Sequence, residues 1–269
     1  MKHSLKYTLI LLIAVACFYI TCKKDATLSD NTINAGDLSK QIAISLYKSL
    51  SGQYGGANIN DGIKAPLNIA PGHKGPRINN VNPYCGLVID TSYQFQDVIA
   101  DTVKRYFGHY KFTYVCTGDV LDSYRLDDSI ANTVTYPLYT ANYKLTQKYF
   151  VKAIDQTHKI SSVEGTIGFS SHASLASATH GTTQYHNNDS HYVLQGVKVD
   201  ISSGTADVVE GTAAFTAQIA NLDGNTAVNN NFNGTITFSG HLIARVLIHL
   251  GNETKLYVVN MITGEVTTG

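Results

Sequence analysis

The chain has no tryptophan, five prolines, two methionines and only 15% charged residues among its 269. Basic and acidic residues balance at 20 each. A nucleic-acid binder needs a basic patch, and this composition supplies none. No GxxxxGK[ST] phosphate loop is present, and Gly52, Gly55 and Gly56 follow a helical pattern rather than open one. There is no GxSxG elbow and no SxxK with its partner motifs, so the familiar serine nucleophiles are missing. CxxC spacing is absent too, which argues against a redox or metal pair. Beyond the N-terminus no apolar run approaches the roughly 20 residues that a spanning helix needs. What is abundant is tyrosine (17), glycine (22) and threonine, a composition that favours strands over helices.

The first residues carry Lys2 and Lys6, and an apolar run extends from Leu9 to Ile20 before Lys23, Lys24 and Asp25. A charged start followed by a short apolar stretch is the pattern of a removable export leader. Its end, Tyr19-Ile20-Thr21-Cys22, resembles the lipobox of Gram-negative bacterial lipoproteins. That resemblance covers about 25 residues. It implies a signal peptide over 1–21, a mature chain beginning at Cys22, and covalent fatty acid (palmitate) on that thiol. Ala14-Val15-Ala16-Cys17 is an alternative tetrad with smaller residues, which makes Cys17 the alternative lipid site. Stable anchoring requires more than one acyl chain, because a single one holds only marginally. The lysine after Cys22 resembles the outer-membrane sorting pattern, so the expected location is the outer membrane, on either face. The membrane is then a partner through the lipid anchor, with covalent lipid on Cys22 and no other cofactor implied.

Removal of a 21-residue leader leaves 248 residues, enough for one sizeable core. Residues 22–35 form the lipidated cysteine and a polar spacer, and 36–269 read as a single domain. Within it, Leu38, Ile42, Leu46 and Leu50 recur every four residues opposite Lys40, Gln41, Ser45 and Lys48. This predicts an amphipathic helix over 37–51, capped by Asp37 and stopped by Gly52. Residues 52–83 hold four of the five prolines and six glycines, and predict a long loop lying across a sheet. From 84 to 269 the pattern has period two. Tyr110, Phe112, Tyr114 and Cys116 share one face; Val193, Val197, Val199 and Ile201 another. Phe232 to His249 alternates so regularly that it predicts one long strand, bent at Gly240, with His241 and His249 on its polar face. A Gly-Thr-x-x-Phe form recurs at Gly165, Gly211 and Gly234, as similar strand entries in a meander. Ser203-Gly204 and Asp223-Gly224 are expected turns.

The expected fold is mainly β: one large antiparallel curved sheet, or half-barrel meander, of about eight to eleven strands with one N-terminal amphipathic helix. That architecture resembles the half-barrel of lipoprotein carriers, by analogy of shape alone. Cys85 and Cys116 are the two cysteines outside the leader, and an even pair in an exported chain is most simply a disulfide.

Candidate chemistry is sparse. His172, His180, His186 and His191, with Asp189, supply imidazoles and a carboxylate that would suit zinc if strands brought them together. Asp119, Asp122, Asp127 and Asp128 beside Arg125 read as a solvated turn, without the spacing of a calcium loop. Ten of the 17 tyrosines fall between Tyr84 and Tyr149, as strand residues or as a platform for sugars. Two functions follow as expectations. One is a non-enzymatic binding or structural module for a glycan, lipid or protein ligand. The other is a periplasm-facing, metal-dependent enzyme centred on the histidine run.

Overall fold

The computed structural model describes residues 34–63, 68–70, 73–74, 83–176, 183–223 and 226–269. Cys17, Cys22 and His180 lie outside these residues. About two-thirds of the described residues (69%) are strand. Among the described residues one α-helix, α1 (Ala35–Leu50), is followed by a 3-10 turn at Ile59–Asp61 and a small hairpin of β1 (Asn68–Ala70) and β2 (His73–Lys74). Eleven strands then build one antiparallel sheet: β3 (Val88–Ile99), β4 (Thr102–Thr117), β5 (Val120–Tyr136), β6 (Tyr139–Ala153), β7 (Ile160–Ala176), β8 (Thr183–Asp200), β9 (Asp207–Asp223), β10 (Thr226–Phe238), β11 (Ile243–Leu250), β12 (Glu253–Asn260) and β13 (Val266–Thr268). Their spatial order is their chain order, so the sheet is a plain meander, and it is not closed into a barrel. Among the described residues no helix is long and apolar enough to cross a membrane.

The helix forms where its spacing predicts, two residues early. Asn34, not Asp37, caps it: its Oδ1 accepts the Gly36 N–H at 2.8 Å. Asp37 sits in the first turn instead, where its charge complements the helix dipole. Leu38, Ile42, Leu46 and Leu50 are buried against the sheet together with small residues Ala35, Ser39, Ala43 and Ser49. The small side chains let the helix approach closely. Ser39 and Ser49 satisfy their buried hydroxyls on the carbonyls one turn back, at 2.8 and 2.7 Å.

The helix also shows that the sheet curves. Gly36 lies against Tyr257 of β12 and Val266 of β13, while the Ser49 carbonyl accepts from Gln147 of β6 at 2.8 Å. Seven strand spacings of about 4.8 Å separate β13 from β6, about 34 Å if the sheet were flat. The helix rises only about 20 Å between those two residues. The strands must therefore bend around it. Bulges supply local twist for this: register shifts occur at Val115/Cys116 on β4, Val163/Gly165 on β7 and Gln195/Lys198 on β8. Gly211 faces the last of these at φ 106°, where a Cβ would stand 2.4 Å from the Gly196 carbonyl oxygen. The recurring Gly-Thr-x-x-Phe form thus places two of its glycines beside bulges.

Three sequence expectations change. Phe232–His249 is not one strand but β10 and β11, joined by a turn at Ser239–Leu242 with His241 and Leu242 at φ 55° and 54°. The Asp207 carboxylate accepts both turn amides, His241 N–H at 2.7 Å and Leu242 N–H at 2.9 Å. The four-residue turn preserves parity, so Phe232, Ile236, Phe238, Ala244, Val246 and Ile248 are all buried as the alternation implied. His241 accordingly belongs to the turn, not to a strand face. On β8 the bulge flips the alternation: Val197 and Val199 are buried with Tyr192 and Leu194, whereas Val193 is on the other face. Residues 52–63 are not a free loop. A bridge between Ser51 and Asn58 closes their first part. Asn58 caps the 3-10 turn, and the Asn60 Oδ1 accepts the Ala206 N–H at 2.7 Å.

The Cys85–Cys116 disulfide is present and ties the chain just before β3 to the end of β4. On the chain-entropy view, a loop of that length is worth about 3–4 kcal/mol.

Candidate functional site

Alternation along β5 sends Leu126, Asp128 and Ile130 to the inner, helix-covered face and Arg125, Asp127 and Ser129 to the outer one. Of the acidic group only Asp119 lies in a solvated turn; Asp122, Asp127 and Asp128 are strand residues. Asp127 is exposed, 3.5 Å from Lys148 Nζ. Asp122 holds its carboxyl below the ordinary value: burial works against ionisation, but hydrogen bonds from Thr117 and Ser123 and the Lys152 charge outweigh it. Asp128 is only 1% exposed, and neither carboxylate oxygen has a hydrogen-bond partner among the described residues.

Its surroundings come from strand register. Tyr110 of β4 and Gln147 of β6 stand directly across from Asp128, and Tyr149 is two positions along from Gln147. Tyr93 of β3 lays its ring over Gly108, in space that only a residue without Cβ leaves open. Segment 52–63 roofs the group. Gly56 adopts φ 78°, and a Cβ on it would fall 2.4 Å from Gln147 Oε1, 2.5 Å from Asp128 Oδ2 and 2.8 Å from Ile130. Glycine is required there twice over, by conformation and by contact.

The roof is pinned on both sides of the carboxylate. Gln147, fully buried, accepts the Ala57 N–H through Oε1 at 3.2 Å and donates through Nε2 to the Ser49 carbonyl. Asn132 donates to the Tyr54 carbonyl at 3.1 Å. The Tyr54 ring stacks on Phe169 (4.7 Å) and Tyr143 (6.0 Å). Nearby, Tyr192 donates to the Ile42 carbonyl at 3.0 Å.

Electrostatically the pocket disfavours charge. Burial pushes the Asp128 carboxyl from 3.8 up to about 7, with Asp127 adding to it; the neighbouring Ser129 N–H pulls the other way without closing a hydrogen bond. Burial likewise raises the Tyr110 and Tyr149 phenols far above their ordinary value, and both hydroxyls lack partners among the described residues. Burial also takes Tyr54 and Tyr143 up to about 12. One carboxyl and two phenol hydroxyls are thus buried within electrostatic reach of one another, without partners among the described residues. Buried polar groups are otherwise almost always paired, so a cluster of orphans marks a place where hydrogen bonds are waiting for a partner.

The histidine run does not assemble. His172 lies on the outer face opposite Asn187, and His191 on the same face opposite Gly168. Four residues along the strand separate those rows, about 13 Å. Asp189 and His191 line a shallow outer depression of about 610 Å³ with Lys144, Ser170 and Gln218. His186 lies on the inner face and meets Asn221 Oδ1 through its Nδ1. Among the described residues no three His, Cys, Asp or Glu side chains gather as metal ligands would. Half of the ten clustered tyrosines, Tyr106, Tyr110, Tyr114, Tyr124 and Tyr149, are buried on the inner face, whereas Tyr84 and Tyr136 are exposed. The sequence reading groups Asp128 with its solvated neighbours, although an acid between Leu126 and Ile130 at strand spacing signals the inner face.

No family model, no curated protein and no solved structure matches the chain.

Proposed function

We propose that the chain is an exported lipoprotein, tethered to the outer membrane through fatty acid on Cys22, whose folded body is a non-enzymatic binding module. The leader's residue pattern supports the tether. The Cys85–Cys116 bridge supports an oxidising compartment, where such bonds persist. The observation that carries the binding role is the roofed cluster of Asp128, Tyr110 and Tyr149, with its unpartnered oxygens. A ligand entering beneath segment 52–63 would bring N–H or O–H donors to the carboxyl and stack on tyrosine. Amino-bearing lipid headgroups and glycans have that chemistry. Beside the carboxylate the roof is held to the sheet by two side-chain hydrogen bonds, Gln147 to Ala57 and Asn132 to Tyr54.

Two measurements test this. Intact mass spectrometry of protein extracted from membranes should find a mature N-terminus at Cys22 bearing fatty acid; an uncleaved or unacylated chain overturns the tether. Native mass spectrometry in mild detergent should find a bound small molecule on the wild type and lose it in Asp128→Asn. The same ligand occupancy on both proteins would remove Asp128 from the site.

A further inference from the structure

The sheet ends differently at its two edges of loops. At the end where β3 turns into β4, β5 turns into β6, and β7 finishes, large apolar side chains stand in water: Val98, Ile99, Tyr136, Leu138 and Leu175, with Ile99 66% exposed. They follow one another along neighbouring strand ends. Ile99 pairs with Thr102, Tyr136 with Tyr139, and Tyr139 with Leu175, while the Ala176 N–H donates to the Leu138 carbonyl at 2.8 Å. Five neighbouring strands therefore contribute to a front about 19 Å wide at strand spacing. Tyr136, Leu138 and Tyr139 also edge a shallow cleft of about 360 Å³ between the tips. The described tip residues carry a single charge, Asp101. At the opposite end Tyr84, Val88, Val120, Ile154 and Ile262 are exposed as well, but they are spread from β3 to β13 among charged turns that hold Asp119, Asp155 and Glu265.

We infer that this rim dips into the headgroup region of a lipid bilayer, so that the sheet stands on the membrane by its β3–β7 tips. Three points favour lipid over a protein partner. The apolar groups sit on separate turns, as isolated knobs rather than a flat face, a shape suited to a soft medium. Tyrosine flanks them, and tyrosine partitions to the membrane interface. Asp101 and the lack of a basic cluster fit a zwitterionic surface rather than an anionic one. The inference rests on the tether proposed above. Twelve residues separate Cys22 from Asn34, a reach of up to about 42 Å.

The absence of tryptophan makes the test direct. Leu138→Trp places the single fluorophore on the rim, and Ile154→Trp places it at the opposite end. Full-length lipidated protein is reconstituted on phosphatidylcholine vesicles with and without brominated acyl chains. Co-sedimentation reads the tether, and quenching reads the contact. The expected result is a blue-shifted emission from Leu138→Trp with at least twofold quenching by brominated lipid, and none from Ile154→Trp. Ile99→Ser in the Leu138→Trp background should reduce the quenching. Sedimentation with an unquenched Leu138→Trp overturns the rim contact while leaving the tether intact. Failure to sediment tells against the tether, and the rim then stands or falls on whether brominated vesicles in excess still quench Leu138→Trp. Equal quenching at both ends also overturns it.

Discussion

Replacing Asp128 by asparagine should stabilise the protein at alkaline pH and leave it almost unchanged in acid. The carboxyl is displaced from 3.8 to about 7 by burial under Gly56. Each pH unit of displacement corresponds to about 1.4 kcal/mol, so full ionisation costs the folded state about 4 kcal/mol. The sign follows from proton binding. Between pH 4 and 7 the folded state holds a proton that the unfolded chain has released, so stability falls as pH rises, by about 1.4 kcal/mol per unit, and levels off above 7. Among the described residues no cation offsets this: Tyr110, Tyr149, Tyr93 and Tyr124 face the group or lie beside it, Asp127 adds repulsion, and Asp61 of the roof bears on Tyr124 and Tyr149. Asparagine keeps the shape without the charge. Urea unfolding of both proteins at pH 4.5 and 8, at one ionic strength, isolates the residue, because the other titrating groups are shared. The variant should gain about 3–4 kcal/mol at pH 8 and under about 1 kcal/mol at pH 4.5. Parallel pH profiles, or a variant less stable at pH 8, would refute the reasoning.

Other substitutions probe the same architecture. Gln147→Leu orphans the Ala57 N–H and loosens the Ser49 carbonyl, and should cost about 2–4 kcal/mol in urea melts while speeding amide exchange at Ala57. Gly234→Ala would set a methyl 1.9 Å from the Leu247 carbonyl oxygen across the β10–β11 pair, and should cost at least about 2 kcal/mol by thermal unfolding; a neutral result would mean the two strands are not paired in this register. Cys85→Ser with Cys116→Ser should lower stability by about 3–4 kcal/mol, and dithiothreitol should reproduce the loss in the wild type.

Much of the fold was legible because two periods dominate it. Leucines and isoleucine every four residues mark α1, and alternation marks β4, β10 and β11 down to which side chains are buried. What alternation hides is any device that preserves or inverts parity. The Ser239–Leu242 turn preserves it, so two strands read as one. The Gly196 bulge inverts it, so Val193 was grouped with the wrong face. The site was legible in one residue and misread in company. Asp127 and Asp128 are adjacent letters that strand geometry sends to opposite faces, one to Lys148 and water, the other under the roof. The roof itself carries no periodic signal. Gly56 and Ala57 acquire their roles only through Gln147, some 90 residues away. Histidine proximity in sequence likewise says little about distance across a sheet whose strands run 17 or 18 residues.

The order of the meander has a consequence for how the molecule is made. The helix emerges first, yet β11, β12 and β13, on which its N-terminal half rests, are synthesised last. Adjacent hairpins can zip up as they appear, each with its predecessor. The apolar stripe of Leu38, Ile42 and Leu46 has no full cradle until the final strands arrive, so the chain must be made through β13 before that stripe is shielded. A nascent or truncated chain ending before β11 would carry a greasy helix without its complete seat, the kind of surface that chaperones hold and proteases find.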